Sequence, residues 1–105
     1  MIIDAHAHIF PTKIAEKAVA GIGTFYSGLV MRKDGTVESL IESGDRNGIS
    51  KFLVQSVATT SAQVEGINNF IADSVKRYPD RLVGFAAMHP DYPEIEKELD
   101  RAVSL

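Results

Sequence analysis

The sequence contains no cysteine, and this absence excludes several kinds of chemistry. A disulfide framework, a thiolate nucleophile and a cysteine-ligated zinc site all need that residue. No run approaches the roughly 18 apolar residues that are typical of a membrane-spanning helix, and no signal-peptide pattern opens the chain. The 11 basic and 14 acidic residues are spread along the chain, without the basic stripe of a nucleic-acid-binding protein. We therefore expect neither nucleic acid nor a membrane as a partner, and we expect a cytoplasmic protein.

The composition is that of an ordinary folded domain. The chain has 105 residues, of which 45% are hydrophobic and 24% are charged, with a formal net charge of -3. These values are typical of a soluble globular protein and argue against disorder. The length corresponds to at most one domain.

Apolar segments of strand character alternate with amphipathic helical segments. We predict strands over residues 1–9, 51–58 and 81–88. We predict helices over residues 13–20, 36–46, 61–77 and from about 91 or 92 to the end. Strands that are apolar on both faces and alternate with helices are typical of a parallel sheet with crossover helices. The predicted fold class is therefore α/β.

Several helix boundaries and faces follow from local signals. We expect Thr12 to cap the first helix and Gly21 and Gly23 to end it. Ser61 is expected to start the third helix, either as its cap or with a hydroxyl turned toward a substrate. For the last helix, the spacing predicts a buried apolar stripe of Ile95, Leu99, Ala102 and Val103.

Three parallel strands would leave an apolar edge without a partner, which favours association. The last helix also continues to Leu105 without a capping residue. We therefore expect residues 1–105 to form a single partial domain. Its sheet edge would be covered by a C-terminal remainder of the protein or by self-association.

Two of the three histidines lie two residues apart in the opening stretch MIIDAHAHIF. Residues at i and i+2 of a strand share a face, so His6 and His8 are predicted to project together. Two neutral imidazoles at the end of a buried strand can ligate one divalent metal ion, most simply zinc. Asp4 is predicted on the same face, where it would steady the site. The alternative is a pair of ordinary histidines without a ligand.

The run IIDAHAHIFP resembles the opening strand of the amidohydrolase superfamily, the metal-dependent TIM-barrel hydrolases. The later stretches DRNGISKFLVQS and RYPDRLVGFAAMHP are similar to its amidohydrolase-related branch, which includes aminocarboxymuconate-semialdehyde decarboxylase-like proteins. The resemblance implies roughly the first three units of a (β/α)8 barrel. It also implies a divalent metal at the barrel mouth, with His6 and His8 among its ligands. The family's later histidines and its late aspartate have no counterpart in these residues.

Two further residues are predicted to lie near a small-molecule substrate. His89 ends the third strand and would face the same mouth of the sheet, unless it only fixes the turn before Pro90. Arg32 lies in an irregular excursion over residues 22–35 and could bind a substrate carboxylate, although a solvated surface position is the simpler interpretation.

Three functions remain open from the sequence. The first is the N-terminal part of a metal-dependent hydrolase that acts on a C–N or C–O bond. The second is a non-oxidative decarboxylase of a small carboxylated substrate on the same scaffold. The third is an α/β binding or assembly module without enzymatic activity. Two histidines provide neither a closed metal shell nor a catalytic base, so we expect these 105 residues alone to be inactive.

Overall fold

A computed structural model describes all 105 residues. Its strands are β1 (Ile3–His8), β2 (Lys51–Gln55) and β3 (Leu82–Gly84). Its helices are α1 (Thr12–Phe25), α2 (Val37–Asn47), α3 (Val64–Arg77) and α4 (Ile95–Ser104), and a short 3-10 turn at Ser61–Gln63 leads into α3. No helix combines the length and apolar character that crossing a bilayer requires.

The three strands form one sheet in the order β1-β2-β3, and both strand pairs are parallel. The predicted α/β class, with parallel strands and crossover helices, is therefore confirmed. β1 and β3 are the edge strands of this sheet. Parallel sheets are usually covered on both faces. Here α2 and α3 pack on one face of the sheet, and Val83 on the other face stays 42% exposed.

The core lies between the sheet and the helices α2 and α3. Phe52 and Val54 of β2 and Leu82 of β3 are buried there, together with Val37 of α2 and Ile71 of α3. Burying a side chain of this size contributes about 1.5–3 kcal/mol. On the opposite face, which we call the open face, Val83 is about half exposed.

The helix α2 matches its prediction because local chemistry sets both of its ends. The Thr36 hydroxyl accepts a hydrogen bond from the Ser39 N–H at 3.3 Å and caps the first turn. Gly48 ends the helix with φ of 69°, a left-handed conformation that glycine adopts without strain. Between them, Gly44 packs so closely on the Phe52 ring that a Cβ atom would lie 2.7 Å from it.

The prediction for α1 is wrong at both ends. Thr12 is already helical and Pro11 stands at the cap position, while the helix continues through Gly21 and Gly23 to Phe25. Glycine disfavours a helix by only about 1 kcal/mol, which packing can offset. At Gly23 the chain returns so closely that a Cβ atom would lie 2.6 Å from the Leu29 carbonyl oxygen.

The strands are shorter than predicted, and β3 is the clearest case. Only Leu82–Gly84 form β3, although the apolar pattern continues to residue 88. The reason is that the side chain of Asn68 in α3 makes the hydrogen bonds to the Ala87 backbone that a neighbouring strand would otherwise make. Its Oδ1 accepts from the Ala87 N–H at 2.7 Å, and its Nδ2 donates to the Ala87 carbonyl at 3.1 Å.

The start of α3 also differs in detail from the prediction. The capping residue is Thr60 rather than Ser61, and it caps the 3-10 turn that leads into α3, in a reciprocal arrangement with Gln63. The Gln63 Oε1 accepts from the Thr60 N–H at 3.2 Å. This capping box satisfies backbone donors at the helix start that would otherwise lack partners.

The predicted apolar stripe of α4 is wrong. The helix begins at Ile95, and Val103 is 90% exposed, with Leu99 about half exposed. The residue that α4 buries is Glu98, which is 3% exposed. Its carboxylate accepts hydrogen bonds from Asn68 and Arg101, and these bonds fix the rotation of the helix about its axis.

Candidate functional site

The predicted convergence of His6 and His8 is present at the carboxyl end of β1. Their Nε2 atoms lie 2.9 Å apart, and their ring centroids lie 4.9 Å apart at an interplanar angle of 60°. Both side chains are exposed on the open face, whereas Ala7 between them is buried. At this separation one nitrogen donates its proton to the other, so the two tautomers are coupled.

The electrostatic surroundings favour the neutral form of His8. Partial burial and the neighbouring His6 lower the pKa of the His8 imidazole, while a hydrogen bond with the Gln55 backbone acts in the opposite direction. A neutral imidazole has the free lone pair that a metal ligand needs. The direction of this shift is therefore the one that metal binding requires.

The pair fits a divalent metal in part. A separation of 2.9 Å allows both nitrogens to lie at about 2.0–2.1 Å from one ion, the usual distance for zinc. However, nowhere in the structure do three or more histidine, cysteine, aspartate or glutamate side chains gather in a group that could hold a metal ion. These residues thus supply two ligands and not a complete coordination shell.

Asp4 does not share a face with the histidines, contrary to the prediction. The pairing of β1 with β2 is irregular between Asp4 and Ala7, and Asp4 lies in register with Phe52, whose ring packs against α2. Its Oδ1 accepts the backbone N–H of His6 at 3.0 Å. The carboxylate therefore acts on the backbone of the histidine pair and not on an imidazole ring.

Neither of the two predicted substrate-binding residues forms a hydrogen bond with the histidine pair. The Nδ1 of His89 accepts the N–H of Asp91 at 3.1 Å, and the His89 carbonyl accepts the N–H of Tyr92. These bonds fix the turn after β3, as the simpler interpretation expected. Arg32 is exposed in the segment between α1 and α2. A role in substrate binding stays a prediction for both residues.

The strand ends next to the histidines are joined by a contact that the sequence did not reveal. The Ser56 hydroxyl donates to the carbonyl oxygen of Ile9 at 3.1 Å, which ties the end of β1 to the end of β2. Ser56 directly follows the last residue of β2. Its partner is 47 residues away in sequence, so no local pattern could have identified it.

The histidine pair does not line either of the two main cavities of the fold. One is an open groove of about 410 Å³ between α1 and its return segment, lined in part by Glu16, Leu29 and Lys33. The other measures about 200 Å³ and lies between α3, β3 and the end of α4, next to Ala72, Val75 and Phe85. The histidines instead stand on an uncovered sheet face.

The comparisons with known proteins support the fold. No protein-family model matches the chain, and no curated protein matches it. A solved structure that it resembles is described as a probable 2-pyrone-4,6-dicarboxylic acid hydrolase from Acinetobacter baumannii with citric acid bound. The match has a TM-score of 0.53 and 22% sequence identity, and it covers 96% of this chain. The chain spans about a third of the length of that protein, 34%, and the likeness concerns the fold alone.

Proposed function

We propose that this chain provides the first strands of a metal-dependent hydrolase scaffold of the amidohydrolase type, in which His6 and His8 ligate a divalent metal. The observation that carries the proposal is the convergence of two Nε2 atoms to 2.9 Å at the carboxyl end of a parallel strand. In parallel α/β sheets, ligands bind beyond the carboxyl ends of the strands. The similarity in fold to a solved hydrolase supports the same scaffold.

The residues of this chain have defined tasks in the proposed site. His6 and His8 would hold the ion, zinc being the first choice for an imidazole pair. When bound, the metal supplies Lewis acidity that polarises a carbonyl and makes water a nucleophile near neutral pH. The Ser56 bond to Ile9 keeps the ends of β1 and β2 together at this point. The remaining ligands and the catalytic base would come from other residues, and residues 1–105 alone would be inactive.

The open face needs a cover in the active protein. Ile3 and Val83 expose apolar surface there, close to half of each residue. Parallel sheets are ordinarily covered on both faces, so exposed apolar residues on one face favour an interaction there. We propose that further strands, from a C-terminal remainder or from a second copy, extend the sheet and close it around the histidine pair.

A small carboxylated molecule is the proposed class of substrate. The structural neighbour is named as a hydrolase of a dicarboxylic acid, and it holds citric acid. Arg32 and His89 are the residues of this chain that we propose for contacting such a substrate. A non-oxidative decarboxylase on the same scaffold is the second candidate, because the parts of the site that would distinguish the two reactions lie outside these residues.

Titration of the protein with Zn²⁺ tests the metal site directly. We expect one equivalent to bind, and we expect His6→Ala and His8→Ala each to weaken binding by at least about tenfold, the smallest loss typical of altering a metal site. His89→Ala is the matched control, since it removes the third histidine without touching the pair. Zinc affinity that is unchanged in His6→Ala and His8→Ala, or equally reduced in His89→Ala, would contradict the proposal.

A further inference from the structure

We infer that Asp4 is a positioning residue: by capping a bulge in β1 through the His6 backbone, it determines that His6 and His8 occupy the open face of the sheet. The inference rests on the proposed metal role of the two histidines. It assigns Asp4 a task that the spacing of the motif does not indicate. That task is to set the register of a strand.

The register of the sheet contains one extra residue in β1. Asp4 pairs with Phe52, and Ala7 pairs with Val54. Three residue steps along β1 thus match two steps along β2. This count defines a β-bulge, a feature that is rare in parallel pairs and that re-aims side chains next to active sites.

The bulge changes the face on which the histidines lie. Asp4 shares the register position of Phe52, whose ring packs on α2. Side chains alternate along a regular strand, so unbroken alternation from Asp4 would place His6 and His8 on this helix-covered face. In the structure, Ala7 takes that face and is only 6% exposed, while both histidines are exposed on the other. The extra residue in β1 therefore places both imidazoles on the open face of the sheet.

Asp4 supplies the hydrogen bond that the bulge requires. Residues in a bulge lose regular ladder partners, and a backbone N–H without a partner is unfavourable. The His6 N–H donates to Asp4 Oδ1 at 3.0 Å. A carboxylate or amide oxygen that accepts from the backbone two residues further on is a typical stabiliser of such irregular turns. An asparagine would supply the same oxygen without the charge.

Two substitutions of Asp4 separate backbone capping from an effect of charge. Asp4→Ala removes the acceptor, and Asp4→Asn keeps an oxygen at the same atom while removing the negative charge. Asp34→Ala is the matched control, because Asp34 Oδ1 accepts the N–H of Thr36 at 2.9 Å in the same i to i+2 pattern, away from the histidines. Each variant is measured in the full protein by Zn²⁺ titration. Cross-strand nuclear Overhauser effects between His8 and Gln55, which pair in register, report the bulge.

We expect Asp4→Ala to weaken zinc binding by roughly 10–100-fold, the loss typical when a residue supporting a metal ligand is removed. We also expect Asp4→Ala to change the cross-strand nuclear Overhauser effects between His8 and Gln55. Asp4→Asn and Asp34→Ala should retain both the zinc affinity and the register of the unchanged protein. Rescue by asparagine is the result that an electrostatic role for Asp4 would not produce.

Three results would overturn the inference. Asp4→Asn could bind zinc as weakly as Asp4→Ala, Asp4→Ala could keep both affinity and register, or Asp34→Ala could weaken zinc binding as much as Asp4→Ala. If the unchanged protein binds no zinc, the proposed function fails, and the register measurement alone tests the positioning role of Asp4. If the pairing register of β1 with β2 then changes in Asp4→Ala but not in Asp4→Asn, the positioning role is supported. If the two variants have the same register, the positioning role is refuted.

Discussion

Replacing Glu98 by alanine tests why α4 turns a charged residue toward the protein. Glu98 Oε1 accepts from Asn68 Nδ2 at 2.8 Å, and Arg101 donates to both carboxylate oxygens at 2.7 and 2.8 Å. Asn68 in turn holds the backbone of Ala87. The carboxylate therefore connects α4, through α3, to the segment that follows β3.

The expected loss of stability depends on whether Asn68 and Arg101 can find other hydrogen-bond acceptors when the carboxylate is removed. Asn68 is 3% exposed, so one of its amide hydrogens would be left without an acceptor, at a cost of about 1–3 kcal/mol. The Arg101 side chain is about a third exposed and regains water, so its ion pair contributes at most about 1 kcal/mol. Glu98→Ala should therefore lower the free energy of unfolding by about 1–4 kcal/mol.

Glu98→Gln is the matched control for the charge. It keeps an oxygen that can accept from Asn68, while its amide nitrogen replaces the oxygen that accepts from Arg101 Nε. Because the partly exposed Arg101 can turn to water, we expect a smaller loss than that of Glu98→Ala. Urea unfolding followed by circular dichroism at pH 7 compares the three proteins. Glu98→Ala as stable as the unchanged protein, or Glu98→Gln as unstable as Glu98→Ala, would refute this account of the network.

The stability difference between the unchanged protein and Glu98→Gln is expected to depend on pH. The hydrogen bonds from Arg101, and then that from Asn68, lower the pKa of Glu98 from its ordinary value of 4.5. A carboxylate with a lowered pKa in the folded state stabilises it fully above the unfolded pKa, and this contribution is lost as the pH falls through the folded pKa. The stability difference between the unchanged protein and Glu98→Gln should hold at neutral pH and shrink below about pH 4.5. A difference that grows on acidification would contradict the assignment.

Two further substitutions test the packing and the capping that shape the fold. At Gly84 a Cβ atom would lie 2.6 Å from Ile71 Cγ2 and 3.1 Å from Val75 Cγ2, so Gly84→Ala should lose about 1–3 kcal/mol in urea unfolding. Gly66→Ala, on an open part of α3, should instead gain about 0.5–1 kcal/mol, and a change of the same sign at both positions would contradict the close approach. Thr36→Ala should lose about 1 kcal/mol with the cap of α2, and Thr36→Ser should retain most of it. Equal losses from serine and alanine at Thr36 would show that the hydroxyl does not cap the helix.

The sequence predicted correctly the features that depend on neighbouring residues. The helix predicted over residues 36–46 is α2, Val37–Asn47, and Thr36 and Gly48 set its ends through a side-chain cap and a left-handed turn. The alternation of apolar strands with helices predicted the parallel sheet. The spacing of His6 and His8 predicted that the two imidazoles meet. The ends of α2 and the shared face of the histidines follow from interactions within a few residues, and the sheet follows from a pattern that each segment shows by itself.

Other features depend on residues that are distant in sequence. The apolar pattern of the third strand continues to residue 88, but Asn68 binds Ala87 across 19 positions and the strand ends at Gly84. The apolar stripe of α4 predicted its buried face, but the bond from Asn68 to Glu98 spans 30 positions and turns that stripe outward. A buried polar group needs its partners, and this requirement outweighs the burial of a few apolar side chains.

By itself, the sequence determined that two imidazoles share a face of β1. Only the tertiary structure decided which face that is. A bulge exists only where two strands are paired, because it is a mismatch in the number of residues between them. The pairing of Asp4 with Phe52 and of Ala7 with Val54 places the histidines opposite the helices, and strict alternation along the sequence could not reveal this.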